Sequence, residues 1–302
     1  MGVCGQRVDA VMSVVVVCAL LFFGAPYASS TPPTTTTTLD SQAFPDSMFV
    51  PSVYVVACPK CSSTSLHQYL KAYKNKCYKQ EEIDVFLSHR CSKRENYQTD
   101  YQRKASTQCK EDPTKYYLYD NSPRNLYSTC FYDFLAGEAN KTIIIALRDP
   151  VKRLISGLNM DYQKHRFKKY NMDAYVHNLY KKSIGESPIT MSCYNLPVLR
   201  ISTFCSQNRC LYIDMEKFDT SSKQQLDRFL HLNGTLSFPH SNSRTHTIVD
   251  EDIPDDIKEL VRECGSIYYG LPKFTEFTEA VAIRALNHSA HLKTVQTFHP
   301  KQ

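Results

Sequence analysis

The order of apolar and polar positions divides this chain into short buried strands, each followed by an amphipathic helix. Val53, Val55 and Val56 lie in a run, VYVVA, that suits a strand covered on both faces, where apolar positions need not alternate. Pro59 stops strand pairing, and Ser62, Ser63 and Thr64 open a helix carrying Leu66 and Leu70. Tyr116 to Asp120 predicts a second strand, Asn121-Ser122-Pro123 a turn, and the residues beyond it a helix through Phe131 and Leu135. The clearest buried strand is TIIIAL, Thr142 to Leu147; it ends in Arg148-Asp149-Pro150, and a helix runs on through Leu154, Ile155 and Leu158. Leu211 to Ile213 reads as a fourth strand, Ser221 to His231 as a helix with Leu226, Phe229 and Leu230 on one face, and Pro254 to Tyr268 as another helix. Strands alternating with helices predict an α/β fold with a parallel sheet, in which ligands gather at the carboxyl ends of the strands.

Composition narrows the class. With 302 residues, 42% of them hydrophobic, the chain buries one sizeable core or at most two small ones. Its formal charge of +6 is spread along the sequence rather than gathered into a nucleic-acid arm, and it suits an anionic ligand. Ala10 to Ala25 is an apolar stretch behind Arg7, which predicts entry into the secretory pathway. Its length, about 16 residues against the roughly 20 of a spanning helix, leaves a cleaved signal peptide and a type II signal anchor both open, with Ala28 and Ser30 as a small-residue cleavage site. Residues 1–30 are therefore assigned to that segment, 31–50, with its TPPTTTTT tract, to a stem, and 51–302 to a luminal domain. Ten of the 12 cysteines follow the apolar stretch, as in an oxidising lumen, and sequons at Asn140, Asn233 and Asn287 fit the same location. No cysteine or histidine spacing is zinc-like, while Cys58-Pro-Lys-Cys61 keeps a thiol-redox alternative in play.

Two segments carry candidate chemistry. In the first, Lys60 adds a full positive charge to a strand-to-helix turn whose helix N-terminus attracts anions. The lysine precedes the hydroxyl residues and no glycine is present, so the nucleoside-triphosphate loop G-x-x-x-x-G-K-[ST] is absent. The second is RDPVKRLIS, Arg148 to Ser156: an arginine leaving a strand end and a serine two turns into the helix, suited to hold a second phosphate by charge and hydroxyl. Each has a plainer reading. A Ser-capped helix after a buried strand needs no ligand, and Asp149 with Arg153 makes a helix-start ion pair beside a small Ser156.

Taken together, the two segments resemble the PAPS-dependent Golgi sulfotransferases that modify carbohydrates, including the heparan sulfate N- and 3-O-sulfotransferase group. PAPS is 3'-phosphoadenosine 5'-phosphosulfate. The family's K-x-G-x-T-x-L loop, which grips the 5'-phosphosulfate, is matched by Lys60-Cys61-Ser62-Ser63-Thr64-Ser65-Leu66, and its R-D-P-x-x-R-x-x-S element, which grips the 3'-phosphate, by Arg148 to Ser156. Gln80-Glu81-Glu82-Ile83-Asp84-Val85-Phe86 is similar to the segment holding the family's catalytic base, which would be Glu82, with Glu81 and Asp84 as alternatives. The resemblance implies a P-loop-NTPase-like three-layer fold, a parallel sheet flanked by helices. It also implies PAPS as co-substrate with no metal, a glycan or glycosaminoglycan as acceptor partner, and no nucleic acid. The implied location is the Golgi membrane, held by the N-terminal segment if that is uncleaved, or secretion otherwise. Three positions depart from the pattern: Ser62 replaces the loop glycine, Asn121 stands where many relatives have lysine, and the late basic loop is reduced to Ser241 to His246, where Arg244 either reaches the donor or lies in a plain polar turn. A binding protein of the same fold that has lost catalysis is the competing function.

Overall fold

A computed structural model describes residues 50–72, 82–87, 91, 93–105, 118–165, 187–232, 234, 237–239 and 248–297. The apolar N-terminal stretch, the Thr/Pro tract, Glu81, Cys77, Cys109, Asn233 and Arg244 lie outside these residues. Among the described residues no helix is long and apolar enough to cross a membrane.

The fold is α/β, with five strands in one sheet and helices packed against it. Strand β1 (Val53–Ala57) is followed by helix α1 (Ser63–Ala72), and α2 (Arg94–Lys104) precedes the short β2 (Tyr119–Asp120). Next come α3 (Thr129–Leu135), β3 (Thr142–Leu147), α4 (Pro150–His165), α5 (Asn195–Ser202), β4 (Arg209–Asp214) and α6 (Thr220–Leu230). The chain continues through α7 (Asp255–Cys264), α8 (Ile267–Gly270), β5 (Phe274–Glu276) and α9 (Glu279–Thr297). The spatial order is β2-β1-β3-β4-β5; the first four strands are parallel and β5 runs antiparallel to β4. The β1–β3 register pairs Val53 with Thr142 and Ala57 with Ala146, so both strands end side by side.

Burial explains the apolar runs. All five residues of β1 and Ile143 to Leu147 of β3 are buried, as expected for strands covered on both faces. Helix α1 turns Leu66, Tyr69 and Leu70 to this core, an i, i+3, i+4 face. Its neighbours have local start signals: the Ser128 hydroxyl accepts from the Phe131 N–H at the head of α3, and Asp219 accepts from Ser222 N–H at the head of α6.

The predicted second strand is confined to Tyr119–Asp120 within the described residues, and the turn after it coils into a 3-10 helix, Pro123–Tyr127. The long C-terminal helix predicted from Pro254 to Tyr268 breaks into α7 and α8 at Gly265 and Ser266. Periodicity had given no sign of α5, α9 or the three-residue β5. Eight of the cysteines form four disulfides among the described residues: Cys58–Cys61, Cys91–Cys130, Cys193–Cys264 and Cys205–Cys210.

Candidate active site

Strand order fixes where a ligand can sit. From β1 the chain moves to β2 on one side of the sheet, and from β3 it moves to β4 on the other. The crevice outside the carboxyl ends of β1 and β3 is therefore a topological switch point, the usual ligand position in an open α/β sheet. Both sequence-derived segments begin there: the Lys60 loop leaves β1, and Arg148 leaves β3.

Within the first loop, the Cys61 N–H returns to the Cys58 carbonyl at 3.0 Å, making a tight turn closed by the Cys58–Cys61 disulfide. Lys60 (φ 74°) and Ser62 (φ 57°) are both left-handed, on either side of a Cys61 that is not. Left-handed backbone costs a non-glycine residue roughly 1–2 kcal/mol. Serine thus occupies the conformation for which glycine is the natural choice. Left-handed residues ahead of a helix N-terminus suit an anion-binding loop, with the Cys61 N–H between them turned back to the Cys58 carbonyl. Lys60, Ser62 and Thr64 are half-buried, whereas Ser63 and Ser65 are buried. Cys61 is buried too, and both its sulfur and its N–H are already engaged. Cys58 and Cys61 are bonded to each other and completely buried, so neither stands as the exposed attacking thiolate of a thiol oxidoreductase.

The second segment supplies two arginines that hold consecutive carbonyls of the first. Arg153 donates from Nε to Pro59 O at 2.9 Å, and Arg148 from Nη1 to Lys60 O at 3.1 Å. A trans peptide opposes its C=O and N–H, so drawing the Pro59 carbonyl toward Arg153 points the Lys60 N–H the other way. Arg153 is completely buried, and its other partners are Pro188 O, Ser192 Oγ (3.5 Å) and Met191 Sδ (3.4 Å). Burial lowers its pKa, while Tyr127, Tyr194 and Asp161 pull the other way; a guanidinium so placed stays charged at neutral pH. Gly157 makes room for it, since a Cβ there would lie 3.1 Å from Arg153 Nη1 and 3.1 Å from Pro188 Cβ.

Asp149 does not pair with Arg153. Its Oδ1 accepts from the N–H groups of Val151 (2.9 Å) and Lys152 (3.0 Å), capping α4, and its Oδ2 accepts from the Tyr269 hydroxyl at 3.1 Å. Arg148 is half-buried and bonded from Nε to Glu216 Oε1 at 2.6 Å, while Lys152 Nζ reaches Glu216 Oε2 at 2.9 Å. Burial raises the Glu216 pKa, but the charges and hydrogen bonds of Arg148 and Lys152 outweigh it and hold the carboxyl below its ordinary value. No motif marks Glu216, although its place two residues past β4 puts it at the carboxyl edge where ligands gather. Ser156 is half-buried on the second turn of α4.

The segment of the candidate base is tied to the same edge through β2. The N–H groups of Ile83 and Asp84 donate to Ser122 Oγ at 3.0 and 2.8 Å, and that hydroxyl donates to Asp120, the last residue of β2. Ser128 Oγ holds Phe86 O at 2.6 Å, and the Phe86 ring packs against Phe131 and Phe134. Glu82 is left exposed; Asp84, the alternative base, is bonded to Arg124 at 3.2 Å. Asp120 is buried with Tyr101 (2.7 Å), Ser122 and Asn125 (3.3 Å) as partners. Burial first, with the negative charge of Asp84 adding, pushes its pKa up to about 6 against the pull of those hydrogen bonds. Beside it, both amide atoms of Asn121, Asn125 Oδ1 and Asp84 Oδ1 are buried without a hydrogen-bond partner.

The structure thus brings the Lys60 loop and Arg148 into contact, and anchors the Glu82 segment to the neighbouring strand. No family model matches the chain, and no curated protein matches it.

Proposed function

We propose that the chain is a PAPS-dependent sulfotransferase acting on a hydroxyl or amine of a carbohydrate, a glycan or glycosaminoglycan, in the Golgi lumen. The observation that carries this reading is the hydrogen bond from Arg148 to the Lys60 carbonyl. It joins the two candidate phosphate segments, 88 residues apart in sequence, at the switch point of the sheet. In this reading the sheet and its helices are the core of a P-loop-NTPase-like three-layer fold. Ser62, Thr64 and the loop N–H groups hold the 5'-phosphosulfate, and Arg148 with Ser156 holds the 3'-phosphate.

The acceptor oxygen or nitrogen forms a bond to sulfur as the bond from sulfur to the bridging phosphate oxygen breaks. Glu82 takes the acceptor proton, and Lys60 stabilises the charge that develops on the departing phosphate. The product nucleotide is 3'-phosphoadenosine 5'-phosphate. Disulfides in the fold suit a luminal location.

A screen with radiolabelled PAPS against glycosaminoglycans, simple glycans and peptides tests the reading. Transfer to a carbohydrate is expected, and Glu82→Gln should slow it about 100-fold or more while sparing binding of the product nucleotide. Product-nucleotide binding without transfer to any acceptor would make the chain a binding protein of this fold. Neither binding nor transfer would sink the proposal.

A further inference from the structure

We propose that the Cys58–Cys61 disulfide is the positioning device of the anion loop, standing in for the missing glycine, so that donor affinity depends on the oxidation state of this pair. The inference rests on the sulfotransferase reading and names how that same site is regulated.

Both left-handed residues, Lys60 and Ser62, are immediate neighbours of Cys61. The bridge joins cysteines three positions apart with a Cα–Cα distance of 5.4 Å, and it encloses the turn that the Cys61 N–H makes with the Cys58 carbonyl. The hydroxyl of fully buried Tyr194 donates to Cys58 Sγ at 3.2 Å, so the sulfur is seated on the residue that precedes α5. The arginines hold only the carbonyls of Pro59 and Lys60; neither reaches Ser62. Beyond Lys60 the turn is held by the covalent ring together with the Leu66 N–H, which donates to the Ser62 carbonyl at 3.2 Å. Reduction would break the S–S bond and form two thiols, taking two electrons and two protons from an external dithiol that is itself oxidised to a disulfide. Once open, the ring no longer opposes return of Lys60 and Ser62 to the right-handed region that L-residues prefer. Their N–H groups would then leave the orientations that the left-handed turn gives them.

The test compares binding of 3'-phosphoadenosine 5'-phosphate by calorimetry to the full chain, to Cys58→Ala/Cys61→Ala, to that variant carrying Ser62→Gly, and to Cys205→Ala/Cys210→Ala as a control. Loss of the loop disulfide should weaken binding about tenfold or more, Ser62→Gly should recover most of the loss, and the control should stay within about twofold. Unchanged affinity in the folded double variant, or no recovery with glycine, overturns the inference. Where the double variant fails to fold, the native chain is reduced stepwise with a dithiol and mapped by alkylation. Binding lost in step with Cys58 and Cys61 labelling supports the inference; binding that follows another pair overturns it. If the native chain binds no nucleotide, the sulfotransferase reading fails instead. Amide exchange at residues 60–63 then decides: about tenfold faster exchange without the bridge supports the positioning role, and equal exchange removes it.

Discussion

The corner between β1 and β3 and the corner beyond β2 lie at the same edge of one sheet, and each buries a charge on neutral partners, with opposite consequences. In the first, Arg153 is completely buried against carbonyl oxygens, a serine hydroxyl and a methionine sulfur. In the second, Asp120 is completely buried against two hydroxyls and an amide. Desolvation opposes the charged form in both. A guanidinium has so high an intrinsic pKa that it keeps its proton, whereas a carboxyl brought to about 6 changes charge in a mild range. The loop that would grip the donor is thus held by a cation indifferent to pH, and the segment carrying Glu82 is held through Ser122 by an acid that titrates. The corners also differ in completeness. Arg148 and Lys152 are both matched by the Glu216 carboxylate, but the β2 corner keeps unpartnered polar atoms on Asp84, Asn121 and Asn125.

The comparison can be broken most directly at its two buried charges. Arg153→Ala removes the guanidinium, empties its site and strands two buried carbonyls, and should cost about 3–5 kcal/mol in urea unfolding; a loss below about 1 kcal/mol would mean the loop does not depend on it. Lys60→Ala should reduce sulfate transfer about 100- to 1,000-fold, the scale of a lost preorganised contact to developing charge, with far less effect on melting. Near-normal transfer would remove Lys60 from the leaving group.

For Asp120 the sign follows from the raised pKa. Between about 4 and about 6 the folded chain keeps a proton that the unfolded chain has released. The stabilisation is complete below that window and is lost as pH rises through about 6, by on the order of 3 kcal/mol in total. Asp120→Asn should flatten this part of the stability profile, measured by urea titration from pH 4 to pH 7.5 against the native chain; an unaltered slope would place the titration elsewhere. The smallest effect is expected at half-exposed Arg148, where alanine should weaken 3'-phosphoadenosine 5'-phosphate binding by about 1.5–3 kcal/mol and barely alter stability. Unchanged affinity would leave Arg148 as a partner of Glu216 alone.

The fold was legible where burial leaves a one-dimensional trace. Residues 53–57 and 142–147 are continuous apolar runs because sheet strands covered on both faces have no solvent side, and α1, α4 and α6 followed from their apolar stripes. Nothing in Phe274–Glu276 distinguishes it from a loop, since its strand state comes from pairing with Leu211 to Ile213. The site was legible as two segments but not as a contact. Helix-start ion pairing at Asp149 and Arg153 was an open reading of RDPVKR, and only packing settled it. The aspartate caps its own helix, a local bond, while the arginine crosses 94 residues to Pro59. Glu216 and Ser122 carried no motif because their roles depend on which strands are neighbours.

The sequence by itself determined β1, β3 and β4, the helices α1, α4 and α6, the cationic Lys60 loop, and the R-D-P-x-x-R-x-x-S element, because each is set by residues within a few positions of one another. Tertiary structure decided the strand order that opens a crevice between β1 and β3, the clamp on the Pro59 and Lys60 carbonyls, and the left-handed backbone that Ser62 adopts. It also decided the acid whose pKa lies near 6. These depend on groups distant in sequence being brought into one desolvated corner, where the energies of charge and hydrogen bonding become large enough to fix a conformation or move a proton.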